Sequence, residues 1–434
     1  MVSGKVIRKA AIIAAFVAGP AWADGALTDA DFAPVNMDAA RLGQLLFYDP
    51  ILSGNRNISC ATCHHPKHAT SDGLSLGIGE GGIGLGPDRI IDPTNPPEQR
   101  IPRHSPALFN LGAREFTVMF HDGRIEADPT RDSGLRTPMG AEMEAGFDSL
   151  LSAQTMFPVL SADEMAGHYS ENDVSKAVRT GRITGDGGAW DILSDRVAAI
   201  PRYRQMFAVA YPDRADIHFT DISNAIAEFI AFEWRSDSSL YDAYLRSETK
   251  LPDRAQQGLE VFDAKCASCH AGPFQTDHGF HAVGQPQFGP GKAARFERHA
   301  RDDGRMRVTG KLRDAYAFRT PSLRNVMATA PYGHTGAYPD IISFLKAHQG
   351  ARPAISAYDR SLATLPAMDA QDWRVLDDPD QIAGIAASAV TLPELDAKEI
   401  ERLVAFLQTL TDQTALDGRL GIPASVPSGL PIDR

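Results

Sequence analysis

Apolar residues recur at helical spacing in several segments of the chain, and no long alternating strand pattern stands out. The longest such segments are residues 217–245 and 394–410, and shorter amphipathic segments lie at 41–49 and 255–262. Residues 73–86 are rich in glycine and have no periodicity, which predicts a loop. The pattern as a whole therefore predicts a mainly α fold.

Four cysteines in 434 residues are too few for a disulfide-dense scaffold, but their positions are informative. They form two C-x-x-C-H motifs, Cys60 to His64 and Cys266 to His270, and this motif is typical of covalent haem c attachment. On a helical turn, positions i, i+3 and i+4 share one face, so two thioethers and an imidazole can hold one haem. A zinc site or two redox disulfides would leave the histidine after each pair unexplained. The sequence thus predicts two haem c groups, attached at Cys60, Cys63, Cys266 and Cys269, with His64 and His270 as proximal iron ligands.

A second repeated feature precedes each cysteine pair. Gly43 and Phe47, and again Gly258 and Phe262, form a Gly-x-x-x-Phe pattern on an amphipathic segment. We therefore expect two copies of a cytochrome c-like unit, with a boundary near residues 211–216. The predicted domains are 24–215 and 216–414, and the proline-rich tail 415–434 is expected to join the first.

Residues 1–23 are typical of a secretory signal peptide, with a basic start, a short apolar stretch and an A-x-A-like site ending at Ala23. An uncleaved membrane anchor is the alternative. Cleavage would remove three cations and no acid, so the formal charge would change from −12 to −15. A signal peptide without a later apolar run of membrane-spanning length predicts a periplasmic protein without a transmembrane segment. The acidic balance argues against nucleic-acid binding.

With these motifs in place, the chain resembles the bacterial dihaem cytochrome c peroxidase/MauG superfamily over most of its mature length. The resemblance rests on the two haem motifs and on the segments at 42–53, 103–110, 122–124, 164–165, 308–310, 319–326 and 330–334. It implies two haem domains with the haems near the domain interface, and peroxide chemistry at the N-terminal haem. A chain of this family would reduce hydrogen peroxide with electrons from a small donor protein. A MauG-like enzyme that oxidises side chains of a partner protein, and a dihaem electron carrier without peroxide chemistry, are the alternatives.

The same resemblance implies a set of groups above the N-terminal haem. Some family members cap this iron with a histidine from the glycine-rich loop, but residues 74–86 contain none, so this haem is expected to be high-spin and open. Family spacing then places Gln154, Pro158 and Glu164 near it. Glu164 is the expected general acid–base and Gln154 a positioning donor, because peroxide cleavage needs a proton moved between its two oxygens.

Two histidines depart from the usual family pattern. His121 stands before Asp122-Gly123-Arg124, where the family usually has a tryptophan between the haems, so it is a candidate inter-haem relay or a residue that only fills that space. His348 lies at the position of the second haem's sixth ligand, so the resemblance implies a bis-His haem that stores or relays oxidising equivalents.

The local sequence supports the assignment of His348. Pro339 and Asp340 predict a helix start, Gly350 predicts its end, and His348 shares a face with apolar residues between them. Three other residues of this half could serve as the sixth ligand instead, namely Met306, Met327 and Tyr332.

Calcium is a further cofactor that the resemblance raises. The family binds it between the haems through an asparagine, but this chain has His104 at that position, and imidazole is a poor ligand for a hard cation. Only the carbonyls of Thr329 and Pro331 would remain as ligands, so the sequence disfavours calcium without excluding it. Because family peroxidases are often dimers, the resemblance also leaves a homodimer open.

Overall fold

Helices form most of the regular structure in this computed structural model, which describes residues 25–292, 299–350 and 355–434. The mainly α prediction is therefore confirmed. The predicted signal peptide lies outside the described residues. The α-helices are α1 (Met37–Tyr48), α2 (Cys60–Cys63), α3 (Leu150–Thr155), α4 (Asp173–Arg179), α5 (Ala189–Ala198), α6 (Pro201–Ala210), α7 (Phe219–Glu233), α8 (Leu240–Leu245), α9 (Asp253–Lys265), α10 (Met306–Thr309), α11 (Ile341–Ala347), α12 (Pro379–Ser388), α13 (Ala397–Gln408) and α14 (Gln413–Asp417).

Strands are short and pair only in small antiparallel ladders within the described residues. Two of the ladders join neighbouring segments of the first half, and the third joins two loops of the second half. They are β1 (Gly82–Ile83) with β2 (Ile90–Ile91), β3 (Val118–Met119) with β4 (Ile125–Ala127) and β5 (Leu135–Arg136), and β6 (Phe280–His281) with β7 (Phe318–Arg319). These ladders fix loops and do not form the core.

The repeated Gly-x-x-x-Phe pattern corresponds to a repeated helix crossing. In the first half, Gly43 on α1 lies directly against the backbone of Ala225 on α7, and the Phe47 and Phe229 rings are 5.3 Å apart. In the second half, Gly258 on α9 lies against the backbone of Arg402 on α13. There the rings of Phe262 and Phe406 are 4.9 Å apart. Each glycine is required because only a residue without a side chain lets the two helix backbones come so close.

Two large apolar cores surround these crossings, and their division falls later in the chain than the predicted boundary. Helix α7 begins at Phe219, beyond residue 215, but it packs on α1, so the first core extends to Trp234. The second core begins with Leu251. The segment 217–245, which showed one continuous helical pattern, forms α7 and α8 with a break after Glu233.

The C-terminal tail lies on the first core. Ala415 and Val426 are buried there, and the Ser428 hydroxyl donates to Asp49 Oδ1 at 2.7 Å. The Thr62 hydroxyl, inside the first cysteine motif, donates to Asp433 Oδ2 at 2.6 Å. The C-terminal tail therefore contacts the first cysteine motif.

The longest helix among the residues that the structure describes is α7, with 15 residues. No helix in this part of the chain is long and apolar enough to cross a lipid bilayer.

Candidate functional site

The first C-x-x-C-H motif forms a single helical turn. Cys60 to Cys63 make up α2, and His64 caps the turn with its amide bonded to the Cys60 carbonyl at 3.0 Å. The His64 ring is buried, and its Nδ1 lies 2.9 Å from the Thr70 carbonyl. Such a bond fixes the imidazole with Nδ1 protonated and leaves Nε2 available as a metal ligand.

The second motif repeats this arrangement without a regular helix. The His270 amide bonds to the Cys266 carbonyl at 3.0 Å, and its Nδ1 lies 3.1 Å from the Gln275 carbonyl. Burial lowers the pKa of His270, as it does for His64, so both rings are neutral near pH 7, the state that binds iron.

His348 lies immediately after α11, as the residue that ends this helix, rather than within it. Its ring stacks on Phe344 at 5.0 Å, and burial, with a smaller contribution from the proximity of His270, lowers its pKa to about 4. The buried Nδ1 of His348 has no hydrogen-bond partner among the described residues. An unpartnered neutral imidazole near His270 could hold one haem together with it.

The thiols also fit two covalently attached haems. All four cysteines are free of disulfides and half-buried. Cys60 packs against the first core and Cys266 against the second, so the two pairs do not converge on one zinc ion. Cys269 lies near Asp277 and His281, but those two side chains already pair with each other at 2.8 Å. The residues present therefore fit one haem c in each core.

A buried arginine organises the glycine-rich loop beside the first motif. The guanidinium of Arg89 donates to the carbonyls of Ile78 at 2.6 Å, Gly79 at 2.7 Å and Gly84 at 2.5 Å. Gly79 lies against the backbone of Asp163 and Glu164, where a Cβ atom would overlap both. The loop is thus ordered against the segment that carries Glu164, which the absence of periodicity in the sequence does not reveal.

Glu164 lies on a one-turn π-helix, Ala162–Ala166, in which the Ala166 amide bonds to the Ser161 carbonyl at 2.9 Å. Such turns are rare and frequently mark functional sites. The preceding 3₁₀ turn, Pro158–Leu160, packs against it and connects it to α3, which carries Gln154. The Gln154 Oε1 atom is buried without a partner in the described structure, so this amide is free to contact a ligand.

Three basic side chains act electrostatically on the Glu164 carboxylate. Burial raises its pKa, while Lys292, Arg124 and Arg103 oppose that rise. Lys292 comes from the second half of the chain, and burial and the nearby arginines lower its own pKa to about 7. No sequence pattern points to Lys292, because it lies in a glycine- and proline-rich loop without any motif.

His121 lies where the two halves meet. Its Nε2 is 3.5 Å from Asp122 Oδ2 and 3.6 Å from Asp302 Oδ2. This Nε2 atom makes no hydrogen bond within the described residues. Its ring is 5.7 Å from Phe318, which stacks on His334 at 4.2 Å. Burial holds the pKa of His121 well below its usual range, so the ring is neutral. Its position at the interface is compatible with a relay, and that role remains a prediction.

Arg103 and His104 connect the same two halves. Arg103 pairs with Asp302 of the second half, and the His104 amide donates to the His334 carbonyl at 3.1 Å. The His104 ring is already engaged, with Nδ1 at 2.8 Å from the Leu74 carbonyl and Nε2 at 3.3 Å from the Ser71 hydroxyl. Because both nitrogens already have partners and imidazole is a poor ligand for a hard cation, this position does not fit a calcium ligand.

The structure thus repeats a helix crossing, with a C-x-x-C-H motif in each half whose residues fit one haem. The sequence model of the family "Di-haem cytochrome c peroxidase" matches residues 37–250. The methylamine utilization protein MauG of Methylorubrum extorquens is 27% identical over 70% of this chain and 66% of its own. The cytochrome c peroxidase Ccp of Escherichia coli is 29% identical over 72% of this chain and 53% of its own.

A solved structure has a similar fold along almost the whole chain. It is a MauG-like protein associated with microbial copper homeostasis, with a TM-score of 0.56 and 24% identity, and the match covers 92% of this chain and 96% of that one. This chain spans less than two thirds of the length of the MauG and Ccp relatives. The first half of the chain matches the di-haem cytochrome c peroxidase family, whose description implies two haem cofactors.

Proposed function

We propose that this protein is a periplasmic dihaem c-type peroxidase that reduces hydrogen peroxide to water with electrons from an external donor protein. The first haem is attached through Cys60 and Cys63, with His64 as its ligand. The second is attached through Cys266 and Cys269, with His270 and His348 as its ligands. Relatives named cytochrome c peroxidase and MauG support this class of chemistry.

The observation that carries the proposal is the buried carboxyl group of Glu164, on which three basic side chains act. Desolvation raises the pKa of this carboxyl group and the basic side chains lower it. Because the two effects oppose each other, the group can both take up and release a proton. A plain electron carrier has no need of a buried acid of this kind.

The haem iron, when bound, supplies the electrons and the site at which the O–O bond breaks. The protein side chains position the peroxide and move its proton. Glu164 accepts the proton from the inner oxygen of the peroxide and returns it to the outer one, which leaves as water. The unpartnered Gln154 amide holds the peroxide in place. Arg103 and Arg124 stabilise the negative charge that develops on the departing oxygen.

Glu164→Gln tests this assignment, because glutamine keeps the shape of the side chain but cannot exchange a proton. We expect the second-order reaction of the haem spectrum with hydrogen peroxide to slow by about 10²- to 10⁴-fold in stopped-flow measurements. Glu142→Gln, in an exposed turn, is the matched control and should react at the wild-type rate. An unchanged rate in Glu164→Gln would remove the catalytic assignment and favour the electron carrier.

His348→Ala tests the second haem separately. Loss of the sixth ligand should convert a low-spin haem to high-spin, which EPR and visible absorption detect. Phe344→Leu, which keeps the imidazole but removes the ring stacked on it, should retain the low-spin signal. If the low-spin signal persists in His348→Ala, the ligand is another residue.

The export signal, the donor and the assembly state belong to the same proposal. Cleavage after Ala23 would be established by N-terminal sequencing of the mature protein, and an uncleaved chain would contradict it. A small redox protein with a basic surface fits the acidic chain as its donor. A homodimer, which the family resemblance allows, would appear as a doubled mass in light scattering.

A MauG-like activity is the second candidate, favoured by the relative of that name and by the low-potential bis-His haem that His348 would give. Incubation with peroxide and a co-expressed exported protein distinguishes the two. Covalent oxidation of that protein's side chains, seen by mass spectrometry, would favour the MauG-like activity, and steady turnover with a reduced cytochrome c would favour the peroxidase.

A further inference from the structure

A row of aromatic rings leads from His348 to the protein surface. The centroid distances along it are 5.0 Å from His348 to Phe344, 6.0 Å to Tyr338, 5.7 Å to Tyr358, 6.0 Å to Phe288 and 5.1 Å to Trp373. We call these five aromatic residues, from Phe344 to Trp373, the aromatic row. Phe288 is buried, whereas Trp373 at the far end is half-buried and keeps contact with solvent.

The aromatic row is held by polar contacts that a simple apolar cluster would not need. The Tyr358 hydroxyl donates to the Ala337 carbonyl at 2.6 Å. Beside Trp373, the side chain of Asp372 forms a buried ion pair with Arg100 of the first half at 3.0 Å, and its carbonyl accepts from the Gly289 amide at 2.6 Å. These contacts fix the indole and the neighbouring rings in position, so the distances along the row are well defined.

The chemistry of the row differs from that of the other aromatic clusters. Tyrosine and tryptophan are the side chains that most readily lose one electron. Tyr338 and Tyr358 are in direct contact, and only Phe288 lies between Tyr358 and Trp373. The other two tryptophans of the described residues, Trp190 and Trp234, are fully buried in the first core and have no such row to the second haem site. Short steps between oxidisable rings carry an electron faster than one long step, because tunnelling falls off steeply with distance.

We propose that the aromatic row conducts single electrons from Trp373 to the second haem, and that the surface at Trp373 is where the donor protein delivers them. The proposal rests on the proposed function and on ligation by His348. In each step the indole of Trp373 loses one electron and the second haem gains one. Two such electrons and two protons convert one hydrogen peroxide to two waters. The donor protein is oxidised by one electron each time it restores the indole.

Arg360 defines the protonation state of the oxidised indole. Its guanidinium lies over the Trp373 ring, 5.2 Å from the centroid, and pairs with Asp377 at 2.6 Å. A fixed cation disfavours a positively charged ring, so the indole N–H proton leaves to solvent with the electron and returns when the donor reduces the ring.

The test uses the haem-loaded protein with hydrogen peroxide and no donor, so that the protein must supply the electrons itself. Freeze-quench EPR should show a tryptophan-type radical, and peptide mass mapping should show more oxidation at Trp373 than at Trp190 or Trp234. Trp373→Phe should abolish the radical. Tyr358→Phe, which keeps the ring but not the oxidisable phenol, should reduce oxidation of the intact Trp373.

The control is Tyr316→Phe, a half-buried tyrosine of the second half outside the aromatic row, and it should behave as wild type. Normal peroxide-induced changes in the haem spectrum, with Trp373 oxidised no more than Trp190 and Trp234, would overturn the route alone. Oxidation of Trp373 that is unaffected by Tyr358→Phe would overturn it as well. Absence of any haem spectral change with peroxide would contradict the proposed function itself, and the route with it.

Discussion

Gly43→Ala provides a quantitative test of the repeated helix crossing. A methyl carbon at Gly43 would overlap the carbonyl oxygen of Ala225 and lie 2.9 Å from Phe229 Cβ. Carbon atoms attract each other at about 3.5–4.0 Å, so this second contact is also too close. The clashing group is backbone, so no side-chain rotation relieves it. Overpacking of this kind costs about 1–3 kcal/mol, and better helix propensity returns about 1 kcal/mol. Because the clash is with backbone, we take the upper end of the overpacking cost. After the gain in helix propensity, we expect the free energy of unfolding to fall by about 2 kcal/mol.

Guanidinium unfolding, followed by far-UV circular dichroism and by the spectrum of each haem, measures this loss. Gly43→Ala should lower the unfolding midpoint of the first core and leave the low-spin haem of the second in place. In Gly258→Ala a methyl group would overlap the Arg402 carbonyl. This variant should lower the unfolding midpoint of the second core and leave that of the first unchanged. Gln257→Ala, on the exposed face of α9, is the control and should change stability by no more than about 0.5 kcal/mol. Wild-type stability in both glycine variants would refute the crossing.

Three further outcomes follow from the site. His348→Met should raise the reduction potential of the second haem in spectroelectrochemistry, because methionine ligation favours the reduced iron, and an unchanged potential would place the ligand elsewhere. Lys292→Met removes a charge that lowers the pKa of Glu164, so the Glu164 limb of the peroxide pH–rate profile should move to higher pH; a shift to lower pH would contradict this. Asp72 is buried near Arg89, beside the glycine-rich loop. Burial raises the pKa of Asp72 from 3.8 to about 7, so the folded protein keeps a proton that the unfolded chain has lost, and stability should fall as the pH rises between those values. Asp72→Asn should flatten that fall in denaturant midpoints measured at pH 5 and pH 7, and an equal fall in both proteins would show that Asp72 is not its cause.

The two haem motifs could be predicted from the sequence because their chemistry is local. Attachment needs two thiols and an imidazole at i, i+3 and i+4, and each motif supplies them within five residues. The Gly-x-x-x-Phe pattern was informative for a related reason, since it marks a helix face that must approach another backbone closely. The structure shows both crossings, although the sequence did not identify α7 and α13 as the partner helices.

Other features depend on residues that lie far apart in the chain. The sequence predicted a boundary near residues 211–216, but α7 packs on α1 because its apolar face completes the first core. Likewise, Glu164 occupies a π-helical turn that no periodicity predicts, and its neighbour Lys292 arrives from the other half of the chain.

The sequence by itself determined the mainly α fold, the two cysteine motifs and the candidate ligands next to them, because hydrophobic periodicity and motif spacing are encoded over a few residues. Only the tertiary structure decided which charges act on Glu164, which rings lie between His121 and His334, and how Trp373 connects to His348. These arrangements depend on the packing of two cores against each other. The energies that stabilise these arrangements come from burial and from ion pairs between residues far apart in the sequence, which local sequence patterns do not reveal.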